Sequence, residues 1–335
     1  MEPEFRMSDA NNLTPISKYP QPIFVLGMTP RTGTHFLANL LCLHPDCETA
    51  AIAEDALLTE AQLLAKYVRG MHDQWARIDG ESNSQLPELL QQSIGEGLVS
   101  FLYSAKRKKK EARLAKAGHN PVADESPKRL VTKTPSIMNI RLFFKFFSAA
   151  KLLILVRDGR SVVESSFRSF GDEPELLIRN WAKEADRLMR FDQSPDFPKA
   201  QYLIVKYEDL HTETEKQMRR ILSFLDLDIG QYDFQTALNL PVVGSSTFKR
   251  SEDKVKWLPV MKTAEFNPLA RADGWPRSMH ERFNWLAGKQ LEQLGYSKKS
   301  FPGNSLFWSI SNSSKDMMWA VKNLLKSKRG GRDSD

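Results

Sequence analysis

The chain has 335 residues and a formal net charge of +7, with 48 Lys and Arg against 41 Asp and Glu. This length suits one large α/β domain or two small ones, and the modest positive charge suits an anionic ligand without implying nucleic acid. The two cysteines, Cys42 and Cys47, are too few for a disulfide framework or a structural zinc site. No apolar run approaches 18 residues and no signal-peptide core is present, so we expect a soluble, cytoplasmic protein without a transmembrane span.

Residues 22–42 predict a strand, a tight Gly/Thr loop and a helix. The run 23–26 is apolar and rich in β-formers, which is typical of a buried strand. After the loop, apolar residues at 36, 37, 40 and 41 recur at helical spacing. Such a loop aims N–H groups and the positive end of a helix at one point, and this geometry favours phosphate binding.

The loop is close to the Walker A pattern G-x-x-x-x-G-K-[ST] but departs from it. Gly27 and Gly33 enclose five residues, and Thr34 stands where the lysine should be. Without that lysine, and without an obvious metal-binding Asp, a P-loop kinase or NTPase is disfavoured. The stretch P-R-T-G-T resembles instead the loop of sulfotransferases that binds the 5′-phosphosulfate of 3′-phosphoadenosine 5′-phosphosulfate (PAPS). This resemblance implies cofactor contacts from the residues Arg31, Thr32, Gly33, Thr34 and His35.

The rest of the chain continues the alternation of strands and helices. Further strands are predicted at 129–132, 152–156 and 202–205. Helices are predicted at about 56–68, 88–104, 140–147, 162–170 and 174–190. Capping boxes at Thr212/Glu215 and Ser278/Glu281 predict the starts of two later helices, with a loop-rich region over 239–276 between them. This order predicts an α/β fold with a central, mainly parallel sheet flanked by helices, whose ligands lie at the carboxyl ends of the strands.

Three regions flank or interrupt the main domain. We expect an irregular arm over 1–20, one domain over 21–296 with a basic flexible insertion at about 105–128, and a tail over 297–335. The insertion begins near the run KRKKK at 106–110, which has no interleaved aromatics, so we expect no nucleic-acid partner. The tail alternates apolar residues with lysines. It is either an amphipathic helix in peripheral contact with a membrane or a helix that packs on its own domain.

A second motif, V-R-D-G-R-S-V-V-E-S-S, starts at the end of the strand 152–156. It resembles the 3′-phosphate motif of sulfotransferases, with Arg157 at the strand end and Ser165 in the next helix. An arginine offers a planar fork to a phosphate, although a structural ion pair between Arg157 and Asp158 is the alternative interpretation. With both motifs in order, the chain is identified as similar to PAPS-dependent sulfotransferases, closest to the tyrosylprotein branch. The resemblance implies their P-loop NTPase-like fold.

The resemblance implies roles for further residues between 22 and 296. Lys133 is similar to the strand-end lysine that contacts the transferring sulfuryl group, and Tyr207 to the tyrosine that approaches the adenine. The late loop that folds over the nucleotide is matched by Ser245, Lys249, Arg250 and Lys256. His35 departs from the family because a second Thr is usual there. The tyrosylprotein enzymes have a membrane anchor and a lumenal setting; we expect neither for this chain, and we therefore expect a small-molecule or glycan acceptor. A homodimer stays an open expectation.

Sulfuryl transfer needs charge on the leaving phosphate to be stabilised and the acceptor proton to be removed. Arg31 and Lys133 are the candidates for the first task, which would need no metal and would leave PAP as product. The tyrosylprotein branch has an acidic base whose place is matched by Glu54 or Asp55. We favour Glu54, and His35 is the next candidate. Glu54 as a surface acid at a helix start is the plain alternative. A kinase or NTPase and a non-catalytic PAP-binding protein remain as rival functions.

Overall fold

The strand that precedes the Gly/Thr loop lies at the centre of the sheet. The computed structural model describes residues 18–79, 85–119, 126–245, 257–260 and 270–330. Its strands are β1 Ile23–Gly27, β2 Cys47–Thr49, β3 Arg129–Thr134, β4 Leu152–Val156, β5 Tyr202–Lys206, β6 Val242–Ser245 and β7 Trp257–Val260. The first five form one sheet in the order β2-β3-β1-β4-β5, and β1 pairs in parallel with both β3 and β4.

The α/β class with a central parallel sheet flanked by helices is therefore confirmed. All residues of β1 and β4 are buried, as expected for parallel strands covered on both faces. Strand β2 was not predicted, because its three residues CET carry no apolar run. It pairs in parallel with β3 at the edge of the sheet, where a short polar strand suffices.

Helices occupy most of the remaining described residues. They are α1 Thr34–Leu41, α2 Ala61–Asp79, α3 Leu86–Lys116, α4 Phe143–Phe146, α5 Gly159–Phe170, α6 Pro174–Gln193, α7 Tyr207–Thr212, α8 Thr214–Phe224, α9 Phe234–Asn239, α10 Arg277–Gln293 and α11 Ser305–Gly330. The described residues divide into two compact units. The first contains the five-stranded sheet with α1–α4 and α7–α9, and the second contains Met28–Thr32, α5, α6, α10, α11 and the β6–β7 hairpin.

In the first unit, α3 is longer than its sequence pattern indicates. The basic run lies inside this helix, so residues 105–116 are helical where we predicted a flexible insertion, and 120–125 lie outside the described residues. Lys106 Nζ lies 2.9 Å from a carboxylate oxygen of Glu48 and donates to the carbonyl of Thr49 at 2.6 Å. Lys109 Nζ donates to the carbonyl of Ala51 at 2.8 Å. Two lysines of the run thus fasten the chain that leaves β2.

Both predicted capping boxes are wrong. Thr212 is the last residue of α7, and its hydroxyl donates to the carbonyl of Glu208 rather than capping α8. Helix α8 begins after Glu213 without a side-chain cap. Helix α10 begins two residues earlier than a cap at Ser278 predicts, because Pro276 already has the extended backbone of an N-cap. The pattern [ST]-x-x-E does not reveal whether the Ser or Thr lies before a helix, in its first turn or at the end of the preceding one.

In the second unit, α6 packs against α5 and α10 around a buried aromatic pair. The rings of Trp181 and Phe283 lie 5.7 Å apart. A Cβ at Gly159 would come within 2.5 Å of the Trp181 ring, so the first turn of α5 needs a glycine to let the indole approach. The antiparallel β6–β7 pair lies in the region that we predicted as loop-rich.

Candidate active site

The Gly/Thr loop is braced by its own threonines. In the stretch Met28–Thr32, the Thr29 N–H donates to Thr32 Oγ1 at 3.3 Å, and the Thr32 hydroxyl donates to the Thr29 carbonyl. Thr32 is only 1% exposed. Arg31 between them has φ 70°, in the left-handed region that favours tight turns. Thr32 therefore shapes the loop from inside, and the backbone of the turn carries the strain.

Gly33 begins the next part of the loop, and only glycine fits there. Its φ is 103°, and a Cβ would lie 2.4 Å from a ring carbon of Tyr207, a side chain that is 1% exposed. Helix α1 follows directly without a side-chain cap. The Phe36 N–H turns back to the Gly33 carbonyl at 3.0 Å, while the earlier N–H groups of a helix have no intrahelical partner. The start of α1 is therefore available to an anion.

Arg31, Arg157 and Ser165 lie together in the second unit, and we call them the anion cluster. Arg31 Nε donates to Ser165 Oγ at 3.0 Å, and Arg157 Nη1 donates to the Arg31 carbonyl at 3.1 Å. Arg157 is 5% exposed and Ser165 is 2% exposed. Two guanidinium groups and a hydroxyl thus converge in a largely buried place. Charge-assisted hydrogen bonds to phosphate are strong in such surroundings.

Two neighbours hold the anion cluster in place. Trp181 Nε1 donates to the carbonyl of Arg157 at 3.3 Å, and Asp158 caps α5 by accepting from the Arg160 N–H at 2.8 Å. Asp158 also pairs with the guanidinium of Arg160, with the closer oxygen–nitrogen distance at 2.6 Å. The motif at 156–166 therefore contains a helix cap and an ion pair as well as the predicted anion ligands.

The two candidate acids differ sharply in their surroundings. Asp55 Oδ1 accepts from the Leu57 N–H at 2.9 Å, and Oδ2 accepts from the Thr132 hydroxyl at 2.6 Å. Its own N–H donates to the Lys133 carbonyl at 3.2 Å. Both carboxylate oxygens of Asp55 are thus engaged in fixing the turn against β3. Asp55 is part of the architecture of the turn.

Glu54 has a freer carboxylate beside a lysine, and with His35 and Lys133 it forms what we call the transfer group. Glu54 Oε1 lies 3.1 Å from Lys133 Nζ; the Glu54 side chain is 54% exposed and that of Lys133 is 8% exposed. Partial burial and the charge of Lys133 lower the pKa of His35, and Glu54 opposes the shift. His35 is therefore largely neutral at pH 7. A carboxylate, a buried ammonium and a neutral imidazole lie near one another in the first unit.

A sequence profile of the Sulfotransferase family matches residues 22–231, more than half of the chain. The chain belongs to the sulfotransferase family. It is accordingly a PAPS-dependent sulfotransferase, as the two motifs predicted.

Relatives of this sulfotransferase include two protein-tyrosine sulfotransferases. Protein-tyrosine sulfotransferase A of Caenorhabditis elegans is 26% identical over 297 residues, covering 84% of this chain and 69% of that protein. The protein-tyrosine sulfotransferase of Drosophila melanogaster is 24% identical over 320 residues, covering 90% of this chain and 58% of that protein. Among solved structures, the sulfotransferase domain of the Synechococcus PCC 7002 olefin synthase is 23% identical with a TM-score of 0.46, covering 86% of this chain and 98% of that domain.

The other predicted site residues of this sulfotransferase fall in different places. Thr34 is buried at the start of α1, and Tyr207 packs beneath Gly33. Ser245 ends β6, while Lys249, Arg250 and Lys256 lie outside the described residues. Sequence reasoning missed the supporting role of Trp181, since a tryptophan on an apolar helix face is equally typical of any core. It also missed the brace formed by Thr29.

Two features of the described residues bear on the predicted partners. No helix among them is long and apolar enough to cross a membrane. Within the same residues, no three His, Cys, Asp or Glu side chains cluster as ligands for a metal ion.

Proposed function

We propose that this sulfotransferase transfers the sulfuryl group of PAPS to an acceptor hydroxyl, with Glu54 as the general base. The observation that carries the proposal is the 3.1 Å contact between Glu54 Oε1 and Lys133 Nζ, beside an Asp55 whose two oxygens are both engaged. A base needs an oxygen that can accept the acceptor proton. Glu54 has one, because its side chain is half exposed and its second oxygen is not needed by Lys133.

The step is an in-line exchange at sulfur. A bond forms between the acceptor oxygen and sulfur, and the bond between sulfur and the bridging phosphate oxygen of PAPS breaks. The acceptor proton passes to Glu54, and the electron pair of the broken bond stays on the 5′-phosphate of PAP. Lys133 stabilises the negative charge that develops there, since a buried ammonium acts strongly on a nearby charge. Arg31 is the second candidate for this task.

PAPS also needs side chains that bind its phosphates, and the anion cluster is suited to this task. We propose that Arg157 and Ser165 bind the 3′-phosphate, as the motif resemblance implies. Trp181 holds the backbone of Arg157 through its carbonyl, and the Arg157 guanidinium donates to the Arg31 carbonyl at 3.1 Å. The N–H groups at the start of α1 serve the 5′-phosphosulfate. That Tyr207 approaches the adenine stays a prediction from the family resemblance, and its ring packs against Gly33 with 1% exposure.

For the acceptor we propose the phenol of a tyrosine in a peptide or protein. The support is the similarity to two protein-tyrosine sulfotransferases over most of this chain. This differs from the small-molecule or glycan acceptor that we expected from the sequence. A phenol also suits a carboxylate base, because its proton is more acidic than that of a sugar hydroxyl.

The test is a transfer assay with labelled PAPS, in the absence of added metal, on tyrosine peptides, small phenols, sugars and amines. We expect label on tyrosine peptides, and none on the same peptides with Phe in place of Tyr. Label on sugars or small phenols alone would overturn the tyrosine acceptor and leave the sulfotransferase reaction intact. A protein that binds PAP tightly yet labels no acceptor would instead be a nucleotide-binding protein without turnover.

Binding can be followed separately from transfer. PAP should raise the melting temperature without magnesium, because a ligand that binds only the native state stabilises it by mass action. ATP should do so less, since it lacks a 3′-phosphate for Arg157 and Ser165. Equal shifts with ATP would argue against the assignment of the anion cluster.

A further inference from the structure

Helix α11 is attached to the second unit through its polar side. Asp316 accepts from Arg282 Nη2 at 2.6 Å and from Trp285 Nε1 at 2.8 Å. Arg282, which is 5% exposed, also donates to Glu175 at 2.6 Å. Asn312 on the same face of α11 is 2% exposed. The contacts that hold α11 to α6 and α10 are thus mainly ion pairs and hydrogen bonds.

The opposite side of α11 is apolar and open. Its large exposed side chains are Leu306 at 73%, Phe307 at 60%, Ile310 at 62%, Met317 at 72%, Met318 at 63%, Val321 at 49% and Leu324 at 63% exposure. At 100° per residue these seven positions fall within an arc of about 120°, centred opposite Asn312. We call them the outer face of α11.

This arrangement reverses that of an ordinary surface helix, which packs its apolar side on the core and turns its polar side to water. Single exposed apolar residues are common and need no explanation. Seven on one side of a single helix are different, although Ser313 and Ser314 separate 306–310 from 317–324, because clustered apolar side chains mark sites that meet another apolar surface. The charged contacts on the inner side fix α11 so that this row points away from the second unit.

We propose that the outer face of α11 lies flat on an anionic membrane surface, with the second unit on its other side. Lys315 stands at the boundary between the two sides of the helix, where its ammonium group can reach lipid headgroups. Lys322 stands at the same boundary with a side chain that is 49% exposed, and its ammonium lies 3.0 Å from a carboxylate oxygen of Glu173. The sequence adds Lys326, Lys328 and Arg329 before the helix ends, and the whole chain carries +7. Each basic residue near an anionic leaflet adds to the attraction.

The charge pattern favours a membrane over a second copy of α11. The acidic residue of this helix, Asp316, is engaged on the inner side by Arg282 and Trp285, so it is not available on the outer face. Two α11 helices packed through their outer faces would bring Lys315 of both copies towards the seam, and the carboxylate at this boundary, Glu173, already pairs with Lys322 of its own chain. A helix of 26 residues spans about 39 Å, so the surface is long enough for interfacial binding.

The test is co-sedimentation of the full chain with phosphatidylcholine vesicles, with and without phosphatidylserine, at low and high salt. We expect binding to the anionic vesicles that weakens as salt rises. Replacing Leu306, Ile310 and Val321 together by Gln should lower the partition coefficient at least about tenfold. The matched control replaces Leu63, Ile78 and Leu238 by Gln, because these are equally exposed apolar residues on α2 and α9. The control should bind vesicles like the unchanged chain.

A second pair of variants separates charge from apolar contact. Replacing Lys315 and Lys322 by Gln should reduce binding to anionic vesicles and leave the weaker binding to neutral vesicles unchanged. Sedimentation velocity without lipid measures whether the chain forms a dimer, which is the competing explanation for the outer face. If the chain fails to bind anionic vesicles, or if the outer-face variant binds them as well as the control does, the membrane proposal is wrong. A dimer that the outer-face variant dissociates, in a chain that ignores vesicles, would assign this face to a second copy.

Discussion

Two charged clusters in this sulfotransferase use the same chemical groups for different purposes. The transfer group, His35, Glu54 and Lys133, contains a carboxylate that is 54% exposed and contacts one buried lysine. The second cluster, which we call the anchor network, joins α6, α10 and α11 through Arg179, Glu175, Arg282 and Asp316. Its central Arg282 is buried and contacts both carboxylates.

The two clusters differ in how many partners each carboxylate has, and this number separates a structural carboxylate from one that can act as a base. In the anchor network each carboxylate is held by two arginines, so no oxygen is left for a reagent. Asp55, next to Glu54, is engaged in the same way by the Leu57 N–H and the Thr132 hydroxyl. Glu54 stands apart because part of its carboxylate faces solvent. We therefore expect that mutating a contact of a fully bonded carboxylate lowers the stability of the fold. Mutating Glu54, whose carboxylate is only partly bonded, should instead lower the rate of turnover.

The largest effect should come from Glu54→Gln. This change keeps the shape of the side chain but removes the basic oxygen, so single-turnover sulfuryl transfer should fall by roughly 10²–10⁴-fold. PAP affinity and the melting temperature should hardly change. Asp55→Asn is the matched control and should affect the melting temperature more than the rate. Near-normal transfer by both variants would move the base elsewhere, with His35 as the next residue to replace.

Arg282→Met should show the opposite behaviour. Removing one partner of a buried ion pair typically costs about 3–5 kcal/mol. Arg282→Met should cost an amount near the lower end of this range, because Arg179 still contacts both carboxylates. Denaturant unfolding should therefore report a large loss of stability, while the folded fraction keeps its rate of sulfuryl transfer. Arg219→Met, at an exposed i,i+4 pair with Glu215, is the control and should change stability by less than about 1 kcal/mol. A similar loss in both variants would contradict the special status of the anchor network.

Arg157→Ala and Lys133→Ala should separate binding from chemistry. Loss of a charged hydrogen bond by Arg157→Ala should weaken PAPS binding by about 1.5–3 kcal/mol. Lys133→Ala should mainly lower the turnover number, since its contact strengthens as charge develops on the leaving oxygen. Calorimetry with PAP and single-turnover kinetics measure the two quantities. Loss of affinity alone in both variants would remove Lys133 from the transfer step.

The anchor network should also make the protein sensitive to acid. Burial acts to raise the pKa of Glu175, but the hydrogen bonds and charges of Arg282 and Arg179 outweigh it and hold that pKa below its usual 4.5. A group with a lowered pKa stabilises the fold above its ordinary pKa and loses this contribution as pH falls through the lower value. The melting temperature should therefore begin to fall below about pH 4.5, and less steeply in Arg282→Met. Identical slopes would show that other carboxylates govern acid unfolding.

The smallest effect concerns His35, whose pKa reports the transfer group. Lys133→Met removes a positive charge and should raise the pKa of His35, while Glu54→Gln removes a negative charge and should lower it further. Titration of the imidazole protons by NMR measures both shifts. His211→Asn offers an assignment control. Shifts of the same sign in both variants would be incompatible with the charges of Lys133 and Glu54 acting on this ring.

Much of the fold was readable because the sheet has apolar strands followed by amphipathic helices. The run 152–156 was predicted with the bounds that β4 has, since five buried apolar residues are a strong signal. The sequence did not predict strand β2 or the lengths of α2 and α3, because these depend on contacts with distant residues such as the Lys106–Glu48 pair. Helix starts were misread where a Ser or Thr matched a capping pattern by chance.

The sequence could predict which residues belong to the site, but not which contacts they make with one another. Two motifs led to Arg31, Arg157 and Ser165, and the structure brings these three together. The choice between Glu54 and Asp55 could not be made from sequence, because neighbouring acids differ only in partners supplied by β3. Thr132 and Lys133 are adjacent in that strand and face opposite sides of its plane. Asp55 therefore contacts the side chain of Thr132, and Glu54 contacts that of Lys133.

The central position of β1 has a consequence for how this chain is made. Its sheet neighbours are β3 and β4, which follow in the sequence by roughly a hundred residues or more. At ribosomal speeds of about 5–20 residues per second, the apolar strand waits roughly 5–20 s before either neighbour has been synthesised. During that interval its edges are open to mispairing with other nascent chains. A chaperone that holds the first hundred residues would therefore protect the strand that later carries the phosphosulfate loop.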